Sequence, residues 1–453
     1  MDMDLFGKNM MFLGIGGISM SAIARLCHSM GAVVTGTDIT KNENVILLKR
    51  DKIAKIKIGN SPTLVQHADI VVYTNAIQES NPDLRLAKRL KKTIYERATL
   101  LGLISCKYKH TIAISGTHGK TTTTALLGWI MKTAQQNPTV HIGGISKNFD
   151  SNLFLGGTKY FITEACEYKK SFLHLNPNIT IINNIELDHP DCYQNFDDVV
   201  SCFVQLSRQT KDCLVVNGDS LDKNIFENKN TICFGLKNTN NVYAKNITTQ
   251  TNTMQFDLIF NGNNLGTINT KLLGTHNVYN ILAASATALQ LNIDFEIIKE
   301  SISTFEGTKR RFEILYDQEL KMILDYAHHP SEIKSCIDAA RMVAKGRIIA
   351  IFQPHTYSRT LALLKDFCTC WKGVDMLFLL PTYPAREKVI PGGRAIDIFY
   401  NLKGINAQYI SNSQSMMYVI DTIKKPNDTI IWLGAGDIEN FAKEYAKTLT
   451  KVN

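Results

Sequence analysis

The stretch Thr111–Thr124, TIAISGTHGKTTTT, constrains this chain more than any other. A short β-branched run, Thr111–Ser115, ends in Gly116-Thr117-His118-Gly119-Lys120-Thr121, and a helical pattern follows from about Thr122 to Ala134. Strand, glycine loop and helix in that order is the context in which GKT binds phosphate. Glycines let the backbone curl so that successive N–H groups point inward, at the positive end of the helix. Lys120 is placed to reach the outer phosphates, and the Thr121 hydroxyl to ligate Mg²⁺. Ile114 stands where the full pattern carries its first glycine, so the loop is a shortened variant. A tight turn that binds nothing is the bland alternative, and the specificity of GKT in this setting weighs against it.

A chain of 453 residues with 44% apolar content implies about three domains with ordinary cores. The formal charge of +9 is modest and spread out, apart from a cluster at Arg85–Lys92 that lacks aromatic interleaving. Such a cluster reads as a solvated helix face, and no nucleic-acid partner is expected. Ten cysteines show no paired metal-knuckle spacing and sit mostly in apolar runs, which fits a reducing cytoplasm. Met10–Leu26 is apolar, but glycines, serines and Arg25 interrupt it, so neither a signal peptide nor membrane insertion is expected.

In chain order, Met10–Ile15 reads as a strand, Gly14-Ile15-Gly16-Gly17-Ile18-Ser19 as a glycine turn, and the next segment as a helix to about Met30. Ala32–Thr35 is then a second strand ending near Asp38. This β-α-β opening with a late acidic residue belongs to nucleotide-binding half-folds. Ser19 replaces the third glycine, so a diphosphate is favoured without implying NAD. Ile70–Tyr73 is another strand, with Thr74 and Asn75 in the loop at its end. Further on, Tyr160–Thr163 delivers Glu164 to a strand end, and Ile179–Asn183 leads into Glu186-Leu187-Asp188-His189. Ligands of open parallel sheets bind at the carboxyl ends of strands, so Glu164 and His189 are expected to converge on Lys120 and Thr121.

Residues 213 to 270 read as strands and turns with little chemistry, and Gly274-Thr275-His276-Asn277 opens an Ala-rich helix. Past Arg311 the alternation resumes. Polar clusters follow four apolar runs: Asp325–Pro330, Gln353–Arg359, Tyr383–Lys388 and Gly434–Asp437. Polar groups at one sheet edge, four times over, are hard to obtain by chance. The fold class is therefore α/β with three domains: residues 1–106, 107–311 and 312–453. The first and last are Rossmann-like, and the central one is built on a mostly parallel sheet with the phosphate loop.

Together, GTHGKTTT, NNIELDHPDCY, GTHNVYN, GTKRRFE, DYAHHP, FQPHTYSRT and YPAREKVIPGG resemble the Mur ligases, across all three domains in the expected order. Within that family the motifs are similar to those of the member that adds the first amino acid to the peptidoglycan stem peptide. The resemblance implies ATP-driven ligation of L-alanine to the lactyl carboxylate of UDP-N-acetylmuramate through an acyl phosphate. Repulsion between that carboxylate and the triphosphate is the physical problem, and cations at the site relieve it.

On that resemblance the catalytic residues are Lys120, His189, His328 and Arg359. Gly116, Thr117, His118, Gly119, Lys120, Thr121 and Thr122 hold the ATP phosphates, His276, Asn277 and Asn280 the adenine, and Arg311 and Asp325 the nucleotide from the far side. Thr121, Glu164 and His189 ligate two Mg²⁺ ions, for which Mn²⁺ can substitute. Gly16, Gly17, Ser19, Asp38, Thr74, Asn75 and Arg97 take the UDP-sugar, and Tyr326, His355 and Arg359 the amino acid. Arg359 is expected to read the alanine carboxylate bidentately. A cytoplasmic monomer or weak homodimer is implied.

The chain departs from the family pattern. Where many members carry E-A-D-E-S-D, it has Glu164-Ala165-Cys166-Glu167-Tyr168-Lys169-Lys170, losing two carboxylates and gaining two lysines. Glu164 is kept as a ligand and the case for Glu167 weakens. Three other readings fit the residues less well. A sister ligase attaching a preformed peptide to the same sugar nucleotide is disfavoured by FQPHTYSRT. An NAD-dependent dehydrogenase leaves Lys120 and Glu164 without a task. A silent binding module is at odds with intact Lys120, Thr121, Glu164 and His189.

Overall fold

A computed structural model describes residues 4–226, 230–250, 252–412 and 414–452. The chain divides into two compact units. One comprises Met1–Ile185, Val200–Phe234 and Ala283–Ser301, the other Glu186–Val199, Gly235–Leu282 and Ile302–Asn453.

The first unit opens with strands β1 (Asn9–Leu13), β2 (Val33–Asp38), β3 (Ala54–Ile58), β4 (Ile70–Tyr73) and β5 (Thr93–Glu96). They form a parallel sheet in the order β3-β2-β1-β4-β5. The chain reverses direction across the sheet at β1, so the glycine turn after β1 lies at the switch point, where such sheets leave a crevice. Helix Arg97–Ser105 ends this section beside Cys106.

The same unit continues with β6 (His110–Ser115), β7 (Thr139–Ser146), β8 (Ser151–Phe154), β9 (Tyr160–Glu164), β10 (Ile179–Ile182), β11 (Cys213–Asn217) and β12 (Thr231–Gly235). Their order is β12-β11-β10-β6-β9-β7-β8. The recorded pairings are parallel except for the edge pair β7–β8. Strand β6 sits at the reversal, and the phosphate loop leaves its carboxyl end. β10 is buried at every residue and β6 at all but the first, as expected of parallel strands covered on both faces.

The second unit carries an antiparallel meander, β13 (Val242–Gln250), β14 (Thr253–Phe260) and β15 (Asn263–Thr270). It also holds a six-stranded sheet of β16 (Glu313–Asp317), β17 (Lys321–Asp325), β18 (Ile348–Phe352), β19 (Met376–Leu379), β20 (Ala407–Tyr409) and β21 (Thr429–Leu433), in the order β16-β17-β21-β18-β19-β20. Only β16 runs antiparallel, at the edge. Side chains alternate between two cores. Met322, Leu324, Ile349, Ile351, Ile430 and Trp432 face one layer, and Ile323, Ile348, Ala350, Phe352, Ile431 and Leu433 the other.

Among the described residues, which include all ten cysteines, no disulfide forms. Among the described residues no helix is long and apolar enough to cross a membrane.

Candidate active site

The phosphate loop is shaped by two glycines in the left-handed region, Gly116 at φ 126° and Gly119 at φ 82°. A Cβ on Gly116 would stand 3.1 Å from the backbone nitrogens of Asn183 and Asn184. Gly119 caps a helix that begins at Lys120, two residues earlier than its sequence pattern implies. Thr117 donates its N–H to the Asn184 carbonyl at 3.2 Å, and His118 donates to Asn184 Oδ1 at 2.8 Å. These two N–H groups brace the loop. Helix geometry leaves those of Lys120, Thr121 and Thr122 without intrahelical acceptors, as an anion site requires.

Lys120 Nζ donates to the Gly116 carbonyl, to the Thr117 carbonyl at 2.9 Å and to Glu167 Oε2 at 2.8 Å. Burial alone would push its pKa down, but Glu167 outweighs burial and the ammonium stays charged. The neighbouring Cys166 thiol is pushed up to about 11 by burial, so it is protonated and unreactive at neutral pH.

Glu164 ends β9 with its carboxylate against the paired glycines of β7, accepting the Gly143 N–H at 2.6 Å. A Cβ on Gly143 would fall inside that carboxylate, and one on Gly144 would lie 3.0 Å from Thr121 Cγ2. Gly143 and Gly144 therefore leave room for both candidate ligands of the first unit. A carboxylate and a hydroxyl suit a small hard cation, so the donor set fits Mg²⁺.

At the edge of the first sheet the structure gathers the expected sugar-nucleotide residues. Gly16 donates its N–H to Asp38 Oδ2 at 2.8 Å, so Asp38 closes the turn after β1. Gly17 caps helix Ile18–Ser29. The Thr74 methyl lies 3.5 Å from the point where a Gly14 Cβ would sit, and Asn75 donates to Glu96 Oε1 at 3.3 Å. Arg97 Nη1 donates to Ser19 Oγ at 3.3 Å.

In the second unit, helix Thr275–Gln290 begins with the expected adenine segment. Asn277 Nδ2 donates to the Leu273 carbonyl at 2.7 Å, and Asn280 Nδ2 to Asn277 Oδ1 at 3.0 Å. The His276 imidazole is lowered to about 4, by burial and then by Arg311, and is uncharged at neutral pH. Arg311 lies 3.6 Å from Glu332 and 5.0 Å above the Tyr326 ring. Asp325 accepts the N–H groups of Phe312 at 2.6 Å and Ala327 at 2.7 Å. Burial nevertheless raises its pKa to about 6 against the pull of Arg311.

The ends of β17 and β18 bring Tyr326, His328, His355 and Arg359 together. The rings of Tyr326 and His328 meet edge to face at 5.3 Å, and those of His328 and His355 at 5.9 Å. His328 Nδ1–H donates to the Tyr326 carbonyl at 3.0 Å, which leaves Nε2 as an acceptor. Burial lowers His328 to about 3 and His355 to about 4, so both rings are neutral.

Arg359 departs from expectation. The edge of its guanidinium that offers a side-on carboxylate fork is filled by Asp188, Nε to Oδ1 at 2.9 Å and Nη2 to Oδ2 at 3.2 Å. Nη1 donates to the His355 carbonyl at 2.7 Å. A substrate carboxylate would meet only the outer end of the group. His189 belongs to this second unit, in the left-handed region at φ 58°, with Nε2 3.6 Å from Asp188 Oδ2. The expectation that it meets Lys120 and Thr121 remains a proposal.

Five features escaped the sequence reading: the Asn183–Asn184 brace, the Gly143–Gly144 pair, the Glu167 partner of Lys120, the Asp188 partner of Arg359, and the buried His141 beside Ser19. The adjacent glycines were the one visible signal, since paired glycines inside a strand mark a close approach.

Comparisons with known proteins agree along the chain. Residues 9–109 match the model of the Mur ligase family catalytic domain, 114–288 that of the Mur ligase middle domain, and 310–436 that of the Mur ligase glutamate ligase domain. The chain is 39% identical over 439 residues to a UDP-N-acetylmuramate–L-alanine ligase of Caldicellulosiruptor bescii, covering 94% of this chain and 96% of that one. It is 37% identical over 449 residues to the Aquifex aeolicus protein of the same name, with 97% of each covered. The crystal structure of the UDP-N-acetylmuramate–alanine ligase of Thermotoga maritima superposes with a TM-score of 0.85 at 27% identity, over 98% of this chain and all of that one. A murein peptide ligase of Psychrobacter arcticus shares the fold, with a TM-score of 0.76 at 23% identity over 98% of this chain and 99% of that one. With a phosphate loop at the reversal of the central sheet, three family domains in order and relatives matched end to end, the chain belongs to the Mur ligase family.

Proposed function

We propose that the chain uses ATP to join L-alanine to the lactyl carboxylate of UDP-N-acetylmuramate, yielding UDP-N-acetylmuramoyl-L-alanine, ADP and phosphate for peptidoglycan synthesis. The observation that carries this is Lys120, charged and anchored in a glycine loop at a helix N-terminus, in a chain similar from end to end to ligases of that name. The carboxylate attacks the γ-phosphorus and ADP leaves, giving an acyl phosphate. The alanine amine adds to the acyl carbon, and the tetrahedral intermediate collapses with loss of inorganic phosphate and a proton.

Residues 1–106 take the sugar nucleotide through Gly16, Gly17, Ser19, Asp38, Thr74, Asn75 and Arg97. Residues 107–311 hold the phosphates through Gly116–Thr122 and the adenine through His276, Asn277 and Asn280. Residues 312–453 supply Asp325 for the nucleotide, as Arg311 does at their edge, and Tyr326, His328, His355 and Arg359 for the amino acid. A neutral His328 receives the incoming ammonium without repelling it. Thr121, Glu164 and His189 are the proposed Mg²⁺ ligands, and the metal supplies charge neutralisation at the transferring phosphoryl group. The enzyme works in the cytoplasm as a monomer or weak homodimer.

The test is phosphate release from ATP-Mg²⁺ with UDP-N-acetylmuramate and each candidate amino acid or peptide in turn. Release that depends on L-alanine supports the proposal. Release that depends only on a peptide, or on no amine at all, overturns it.

A further inference from the structure

His141 lies on β7 with 2% of its surface exposed, opposite Thr163 of β9. Its Nδ1 is 2.9 Å from Thr163 Oγ1, and its Nε2 is 3.1 Å from Ser19 Oγ in the glycine turn after β1. The Thr163 hydroxyl donates to the Glu164 carbonyl at 3.2 Å, so its oxygen accepts from His141 Nδ1–H. Nε2 then carries the lone pair and accepts the Ser19 proton, and Ser19 Oγ accepts in turn from Arg97 Nη1 at 3.3 Å. Each group in this chain has one geometry that satisfies its neighbours. Burial lowers His141 to about 3, with Arg97 adding to the effect, so the ring is uncharged at working pH.

The two outer members are where a ligand would be met. Ser19 and Arg97 are only partly buried, beside the turn whose helix N-terminus starts at Ile18. Among the described residues, the contact with Ser19 is the only hydrogen bond recorded for the Arg97 guanidinium. Its remaining N–H groups are thus available to an anion. A guanidinium on a flexible stem binds an anion well only when something holds it in place, because ordering the side chain costs affinity. Ser19 alone cannot hold it, since a hydroxyl rotates freely unless its own proton is committed.

We propose that His141 is a positioning residue for the sugar-nucleotide substrate: it locks the Ser19 hydroxyl, and through it aims Arg97 at the diphosphate. This rests on the reading of residues 1–106 as the UDP-sugar domain. In that role Ser19 serves the diphosphate through its orientation of Arg97, its own hydroxyl being committed at both ends.

Two amide variants separate positioning from mere filling of space. In His141→Gln the amide reaches the place of Nε2 and can still engage Ser19. In His141→Asn it reaches only the place of Nδ1, keeping Thr163 and releasing Ser19. Both are assayed in the full chain by initial rates, varying each substrate, with thermal melting alongside. The expected result is that His141→Asn raises KM for UDP-N-acetylmuramate about tenfold, the effect of losing one oriented charged hydrogen bond. KM for ATP and for alanine should stay within about twofold, and His141→Gln should recover most of the loss. Ser19→Ala, which only deletes a half-exposed hydroxyl, should match His141→Asn, and the double variant should be no worse than either single one. Equal damage from Gln and Asn, a rise in all three KM values together, or a normal KM in Ser19→Ala overturns the proposal while leaving the proposed reaction intact. A wild-type chain that releases no phosphate in response to UDP-N-acetylmuramate would instead overturn the functional reading beneath it.

Discussion

Asp188 grips Arg359 side-on, 2.9 Å from Nε and 3.2 Å from Nη2, with 8% and 6% of the two residues exposed. Burial alone would push the Asp188 carboxyl up, but the Arg359 guanidinium holds it well below the usual carboxylate range. The pair is therefore ionised throughout the neutral range. It fixes the guanidinium so that only its outer end can face a substrate.

Replacing Asp188 with Asn should leave a buried guanidinium without its counter-charge. Losing one partner of a buried pair costs about 3–5 kcal/mol, so the melting temperature should fall by several degrees. KM for alanine should rise about tenfold or more, with KM for UDP-N-acetylmuramate nearly unchanged. Steady-state kinetics and calorimetry check both. An unaltered alanine KM would mean that Arg359 does not serve the amino acid.

Lys120→Ala should abolish ADP formation, with a loss of roughly a thousandfold or more, while the circular dichroism spectrum stays native. Continued ADP release in the presence of all three substrates would remove Lys120 from the mechanism. Glu167→Gln makes a finer test. It removes the charge that outweighs burial at Lys120, so the alkaline limb of the pH–rate profile should move to lower pH.

Gly143→Ala places a methyl group where the Glu164 carboxylate lies. The carboxylate must shift away from the β7 backbone, which should raise the Mg²⁺ concentration needed for half-maximal activity about tenfold. The stability cost should be about 1–3 kcal/mol, as for other overpacked sites. A Mg²⁺ titration of the variant decides whether Glu164 is a ligand.

Stability should fall with acid well above the usual carboxylate range. His141, His276, His328 and His355 are lowered to about 3, 4, 3 and 4, so between pH 6.5 and about 4 the unfolded chain binds protons that the native chain does not. Stability present above pH 6.5 is then lost as pH falls, by roughly 1.4 kcal/mol per pH unit for each histidine. Asp325, raised to about 6, acts in the opposite sense between about 6 and 3.8, where the native chain holds the extra proton. Four against one leaves a net loss. Urea denaturation at pH 7.0 and 5.5 measures it, and equal midpoints would refute the buried neutral rings.

The phosphate loop was legible because its chemistry is local. Gly116, Gly119, Lys120 and Thr121 lie within six residues, and the strand and helix that frame them are their immediate neighbours. The ends of β17, β18 and β21 were legible for a related reason: buried parallel strands are apolar throughout, so the polar residue that ends each run marks the sheet edge. Arg359 shows where such reading stops. Its place at the end of β18 followed from the pattern, but its partner Asp188 lies 171 residues away, and nothing local signals which acidic residue fills the fork.

By itself the sequence determined which segments become strands, which loop has the glycine-and-lysine shape of a phosphate site and which side chains stand at the sheet edges, since all three depend on residues within a turn or two of each other. Only the tertiary structure decided how those side chains are charged and aimed: Glu167 beside Lys120, Gly143 under Glu164, Asp188 across Arg359, His141 behind Ser19. Burial and long-range partners set a side chain's protonation and rotamer, and neither exists until distant strands are brought side by side.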